Sequence, residues 1–279
     1  MRLLIFGLGY TGTALARHLA PGGWRIAAVT RDGRDDSIAF ADAERVAFEI
    51  GHATHIVSTV APDQADPILA AFGAQIADAR GWLGYLSSTG VYGDTRGAWV
   101  DETAPTGTGR RTARSEADAA WLALGARVFR LPGIYGPGRS PLDRIARGAG
   151  ARIDVPGQVF SRVHLEDLVA GVVAGFNAPA GIYNLADDLP APQSDVVAYA
   201  CALLGMPAPP LVPLEQADLS PQAQAFYSEN RRVANGKAKR VLRWRLRFPD
   251  YRLGLRALSA STSPIITNAA PATASSDQR

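Results

Sequence analysis

Six residues near the start of the chain constrain its fold more than any other stretch: Gly7-Leu8-Gly9-Tyr10-Thr11-Gly12. They follow an apolar run at 2–6 that reads as a strand and precede 13–20, which reads as a helix stopped by Pro21-Gly22-Gly23. In isolation such a sequence is a flexible turn. Between a strand and a helix, the same spacing lets the chain reverse at Gly7, leaves bare backbone at Gly9 for the approach of a pyrophosphate, and lets helix and strand pack closely at Gly12. The helix's free N–H groups and the positive end of its dipole then face the anion, and Tyr10 and Thr11 of the turn are expected to bind the cofactor with the glycines.

The rest of the chain continues the alternation. Residues 24–30, 45–49, 55–60, 82–88 and 127–131 read as strands, and 64–80 and 112–124 as helices, which predicts a parallel sheet covered by helices on both faces. After Leu131 the loops become rich in Pro and Gly, with strands expected at 159–164 and 182–185 and helices at 165–176 and 193–204. We divide the chain into a nucleotide-binding part over 1–135, a smaller lobe mainly over 136–258 that also returns elements to the first part, and a Ser/Thr/Ala/Pro-rich tail at 259–279 expected to be disordered. Residues 207–213 read as an extended connector.

With 279 residues and 47% apolar content, the chain can bury a sizeable core. It has no apolar run of eighteen residues, and glycines interrupt its start too early for a secretory signal, so a cytoplasmic protein with no membrane partner is expected. The lone Cys201 excludes an internal disulfide and a thiolate metal cluster; no metal is expected. Charge is unevenly placed: residues 1–228 carry 18 arginines against 23 acidic residues, whereas 229–256 carry eight arginines and both lysines, Lys237 and Lys239, against Glu229 and Asp250. Within that basic stretch Arg243, Arg245 and Arg247 alternate with Trp244, Leu246 and Phe248, the period of a half-buried extended element rather than a basic helix. Solvated surface arginine accounts for it, as does an anionic substrate; nucleic acid is disfavoured.

The second strand ends at Thr30 and Arg31. A guanidinium there offers planar donors to a 2′-phosphate and favours NADP, while Asp32, directly following, could serve a ribose hydroxyl and keeps NAD open. Arg31 could equally be a solvated loop residue. At the end of the fourth strand, Ser58, Thr59 and Val60 are expected near the adenosine and ribose.

Three further segments complete a pattern: Leu86-Ser87-Ser88-Thr89-Gly90-Val91-Tyr92-Gly93, 130–139 with Pro132-Gly133-Ile134-Tyr135-Gly136-Pro137, and Val163-His164-Leu165-Glu166-Asp167. Together with the glycine turn they make the chain resemble the extended and atypical short-chain dehydrogenases/reductases, the NAD(P)-dependent epimerase/dehydratase group, over residues 1–258. The resemblance implies a Rossmann doubly wound parallel α/β sheet with a smaller C-terminal substrate lobe. It implies that Ser88, and with it Thr89, polarises a substrate oxygen, that Pro132, Gly133 and Ile134 flank the nicotinamide, that Arg139 and His164 reach toward substrate, and that Asp167 supports a loop. Tyr92 and Tyr135 also read as core aromatics with a wet edge, Ser88 and Thr89 as strand-end hydroxyls, and His164 as a structural histidine.

One departure bears on mechanism. The group's acid/base is a Tyr-x-x-x-Lys pair at the start of the helix after the serine strand, and the equivalent stretch here, 105–118, contains neither residue type. Arg110, Arg111 or Arg114 could replace the lysine's charge and ribose contact, but a guanidinium is a poor proton donor. Tyr92, Tyr135, His164 or a water held by Arg110 and Arg111 are the remaining candidates for acid/base work. Two readings follow: an NADP-dependent oxidoreductase or epimerase-like enzyme acting on a small molecule, anionic or nucleotide-bearing, or a non-catalytic NADP-binding regulatory protein. A homodimer is compatible with either.

Overall fold

The computed structural model describes residues 1–109, 112–217, 219 and 221–262. Its first half runs β1 (Arg2–Phe6), α1 (Tyr10–Leu19), β2 (Arg25–Thr30), β3 (Ile38–Ala39), α2 (Ala43–His52), β4 (His55–Ser58), α3 (Pro67–Asp78), β5 (Trp82–Ser88), β6 (Trp99–Val100), α4 (Thr112–Ala123) and β7 (Arg127–Leu131). The second half runs β8 (Gly133–Tyr135), α5 (Pro141–Ala146), β9 (Arg152–Asp154), β10 (Arg162–His164), α6 (Leu165–Ala174), β11 (Gly181–Asn184), α7 (Gln193–Leu203), β12 (Leu211–Pro213), α8 (Pro221–Phe226), β13 (Arg232–Val233), α9 (Gly236–Val241) and α10 (Tyr251–Thr262).

The central sheet has seven parallel strands in the order β11-β7-β5-β4-β1-β2-β3, the doubly wound arrangement expected. Because successive strand residues point to opposite faces, Leu3 and Ile5 enter one core with Leu15, Leu168 and Val172 of α1 and α6. Leu4 and Phe6 enter the other with Val46, Ile68, Phe72 and Trp121 of α2, α3 and α4. The order in which successive strands are laid down reverses between β1 and β4, and the crevice at that switch point lies over the strands' C-terminal ends. A smaller core unites Tyr135, Leu142, Ile145, Val197, Tyr251 and Leu255 into the second lobe, with Cys201 free and buried in it. Short parallel pairs, β8 with β10, β9 with β12 and β6 with β13, tie this lobe together and to the edge of the cleft. Among the described residues no helix is long and apolar enough to cross a membrane.

Several local expectations change. Residues 45–49 form the middle of α2, not a strand: Asp42 caps the helix by accepting from the Arg45 N–H, and Val46 and Ile50, four apart, share its buried face. The connector at 207–213 contributes β12, paired with β9. The alternation at 243–248 buries Trp244 and Phe248 and exposes Arg243 and Arg245, as an extended loop without strand partners. Asp167 holds it, its carboxylate accepting the N–H groups of Arg247 and Phe248 at 2.7 and 2.9 Å, while Trp244 Nε1 donates to its carbonyl. Residues 259–262, expected in the tail, close α10, whose Leu255 and Leu258 pack into the smaller core despite the Ser/Ala-rich composition. The remainder of the expected tail lies outside the described residues.

Candidate functional site

The glycine turn is built as a cradle. Gly7 sits at φ +95°, a conformation that favours glycine, and Thr59 Oγ1 donates to its carbonyl at 2.9 Å. A Cβ on Gly12 would lie 2.1 Å from the Gly7 carbonyl oxygen, so helix and strand approach too closely for any side chain. A Cβ on Gly9 would meet nothing within 4 Å. Gly9 is also the N-cap of α1, which has neither a side-chain cap nor an acidic residue in its first turn. The open space over Gly9, Tyr10 and Thr11 therefore meets an uncompensated positive helix end, the environment a pyrophosphate requires.

At the end of β2, Thr30 is buried and its hydroxyl lies 2.6 Å from that of Ser37, accepts the Gly33 N–H and donates to Asp32 at 3.4 Å. Arg31 is exposed, and among the described residues no carboxylate pairs with it. At the end of β4, Thr59 faces the cleft, whereas Ser58 is fully buried and Val60 packs beside Gly7.

From the cradle a cavity of about 830 Å³ runs past the ends of β5 and β7 into the smaller lobe. Ser87, Ser88, Thr89 and Gly90 line it on one side and Pro132, Gly133 and Ile134 on another, joined by Arg114 of α4. Ser88 Oγ accepts the Gly90 N–H at 3.1 Å, which keeps its own proton available to a ligand. Ser87 behaves differently, being buried and donating at 2.6 Å to Asp118. At the far end stand Arg139, Arg144, Arg162 and Arg231, the last paired with Glu229 at 2.9 Å.

Tyr92 and His164 do not reach this cleft. The Tyr92 hydroxyl donates to Asn184 Oδ1 at 2.8 Å and its ring lies 4.8 Å from the guanidinium of Arg130, a fully packed environment that pushes its pKa up. His164 caps α6, its Nδ1 accepting the Glu166 N–H, and its ring is packed between Tyr135 and Phe248. Burial pushes the imidazole down to about 4, so it is neutral near pH 7. Tyr135 is raised by burial as well, its hydroxyl enclosed against Gly254 of α10. Arg110 and Arg111 lie outside the described residues.

Several residues that shape the cleft had no role assigned to them from the sequence. Asp118 and Arg130 anchor Ser87 from α4 and β7, and Arg144 and Arg162 line the cleft from the smaller lobe. The arginine-rich stretch at 229–256 contributes only Arg231 among its cations to the cleft lining.

No family model matches the chain. A functionally unknown conserved protein from Silicibacter pomeroyi DSS is 44% identical to it, with a TM-score of 0.83 over 93% of this chain and 98% of the other. Protein YeeZ of Escherichia coli K12 is 29% identical over 224 residues, 66% of this chain and 77% of YeeZ. The human epimerase family protein SDR39U1, solved with NADPH, has 19% identity and a TM-score of 0.73 over 93% of this chain and 99% of its own. The chain therefore belongs to the family of the Silicibacter protein, and its fold is that of the NAD(P)-dependent epimerases and dehydratases of the short-chain dehydrogenase/reductase group.

Proposed function

We propose that this protein binds NADP(H) and carries out an oxidoreductase or epimerase-type reaction on a small molecule. The observation that carries the reading is the continuity of one cleft from the uncapped glycine cradle to the free hydroxyl of Ser88 and on into the smaller lobe. Gly9, Tyr10 and Thr11 would hold the pyrophosphate, Arg31 the 2′-phosphate, and Pro132, Gly133 and Ile134 the nicotinamide end. When bound, the nicotinamide supplies or removes a hydride.

The chain's own contribution is electrostatic. Ser88 donates a hydrogen bond to the substrate oxygen, and the guanidinium of Arg114, in the same lining, stabilises negative charge developing there. Neither Tyr92 nor His164 lines the cleft, which leaves the proton to water or to another group of its lining. Calorimetric titration with NADPH, followed by a carbonyl panel monitored through loss of the reduced nicotinamide absorbance, tests the reading. Binding with turnover supports it. Tight binding with no turnover would instead favour a non-catalytic NADP-binding protein, and absence of binding would remove both.

A further inference from the structure

A second cavity, of about 350 Å³, opens beside β8. It shares Gly133, Ile134, Arg139, Arg144 and Arg162 with the main cleft, so an occupant lies against a wall of that cleft, beside the Gly133–Ile134 segment proposed for the nicotinamide end. Arg147 is the fourth guanidinium in its wall, and no acidic residue lines it. Asp143, on the same helix as Arg144, has its carboxylate engaged by the N–H and hydroxyl of Ser140.

Arg162 is the telling member. It is buried, and its donors are met by neutral acceptors alone: the carbonyls of Phe160 and Ala191 at 2.7 and 2.9 Å and Oε1 of Gln193 at 2.9 Å. Among the described residues no carboxylate forms an ion pair with it. The acid that acts on it most strongly, Asp187, is itself pushed up to about 8 by burial, so at neutral pH it supplies little negative charge. Burial, and also Arg144 nearby, disfavour the charged form of Arg162. A buried cation held rigidly without a counter-ion, beside further guanidiniums and an empty space, is arranged for an anion that comes from outside the chain.

We propose that this side cavity receives the carboxylate or phosphate of a compact substrate, so that the protein acts on a short acidic carbonyl or alcohol rather than on a sugar nucleotide; this rests on the oxidoreductase reading above. The cavity's volume, near the lower end of the roughly 300–1,000 Å³ typical of ligand sites, holds a compact acidic molecule but not a whole sugar nucleotide.

The test is calorimetric titration of the NADPH-saturated protein with inorganic phosphate and, separately, with malonate. At least one should bind, and the tighter of the two identifies the substrate's acidic group. Arg144→Ala, at an exposed position, should weaken that binding about tenfold or more while NADPH affinity holds, and Arg139→Ala should weaken the anion binding as well. The same titration on Gly9→Asp, in which the cofactor cradle is blocked, reads the side cavity without NADPH and should give the wild-type anion affinity. No binding of either anion, binding indifferent to both arginine substitutions, or binding that disappears in Gly9→Asp would overturn the proposal. If NADPH fails to bind while the anion still responds to Arg144→Ala, the site stands and the oxidoreductase reading falls.

Discussion

Asp118 of α4 and Arg130 of β7 form a two-pronged ion pair, Nη2 to Oδ1 at 2.7 Å and Nε to Oδ2 at 3.1 Å, with both side chains almost wholly excluded from water. Ser87 donates to the same carboxylate, so the pair fixes the end of β5 immediately before Ser88. Replacing the carboxylate leaves a buried guanidinium without compensation. Asp118→Asn should therefore cost about 3–5 kcal/mol of unfolding free energy. Urea denaturation measures this, and a loss below about 1 kcal/mol would mean that the pair has no structural weight.

Gly9→Asp tests the cradle. The residue has a negative φ and open space where a side chain would emerge, so the variant should fold with near wild-type stability. Its carboxylate would occupy and repel the pyrophosphate position, abolishing dinucleotide binding. Unchanged NADPH affinity in the folded variant would refute the assignment of this turn.

Arg31→Ala tests cofactor choice. Only NADPH carries the 2′-phosphate, so its affinity should fall more than that of NADH, and the difference should narrow as salt is raised. Equal weakening of the two would make Arg31 an ordinary surface residue.

Ser88→Ala should leave NADPH binding intact and lower turnover, because removal of one donor to a developing oxyanion costs about 2.7–4 kcal/mol in the transition state. A wild-type turnover rate in this variant would reduce Ser88 to a turn-forming hydroxyl. Steady-state kinetics on the first substrate identified decides the matter.

Asp187 and His164 act in opposite directions on the pH dependence of stability. Asp187, pushed up to about 8 from an ordinary 3.8, keeps its proton in the folded protein where the unfolded chain has lost it, so its effect is to lower stability as pH rises across that interval. His164, pushed down to about 4 from 6.5, is neutral in the folded protein where the unfolded chain binds a proton, so between those values it raises stability with pH. From about pH 6.5 to 8 Asp187 acts without that opposition. Its contribution should then fall by up to about 1.4 kcal/mol per pH unit. Asp187→Asn retains the acceptor for the Leu189 N–H and should flatten the decline; urea unfolding across that interval in both proteins reads the difference. An identical slope in the variant would assign the titration elsewhere.

Features that depend on neighbours along the chain can be read from the order of residues alone. The glycine turn at 7–12, the strand–helix alternation and the doubly wound sheet were all legible, because positive φ, close helix–strand packing and side-chain period are local properties. So was the inward–outward alternation at 243–248, though not the absence of a strand partner there. Tertiary structure decided the rest. Residues 45–49 read as a strand until the Asp42 cap and the Val46–Ile50 face are seen docked on the sheet, and residues 259–262 read as tail until α10 finds the smaller core. Tyr92 and His164 are ordinary tyrosine and histidine in the sequence; burial and the partners Asn184 and Glu166 turned them away from the cleft. The guanidiniums of Arg114, Arg139, Arg144, Arg162 and Arg231 come together from positions spread over more than a hundred residues, while the visible basic run sends most of its charge elsewhere. Backbone conformation is written in adjacent residues, but the burial of a charge and the identity of its partner are set through space, by whichever segments the fold brings together.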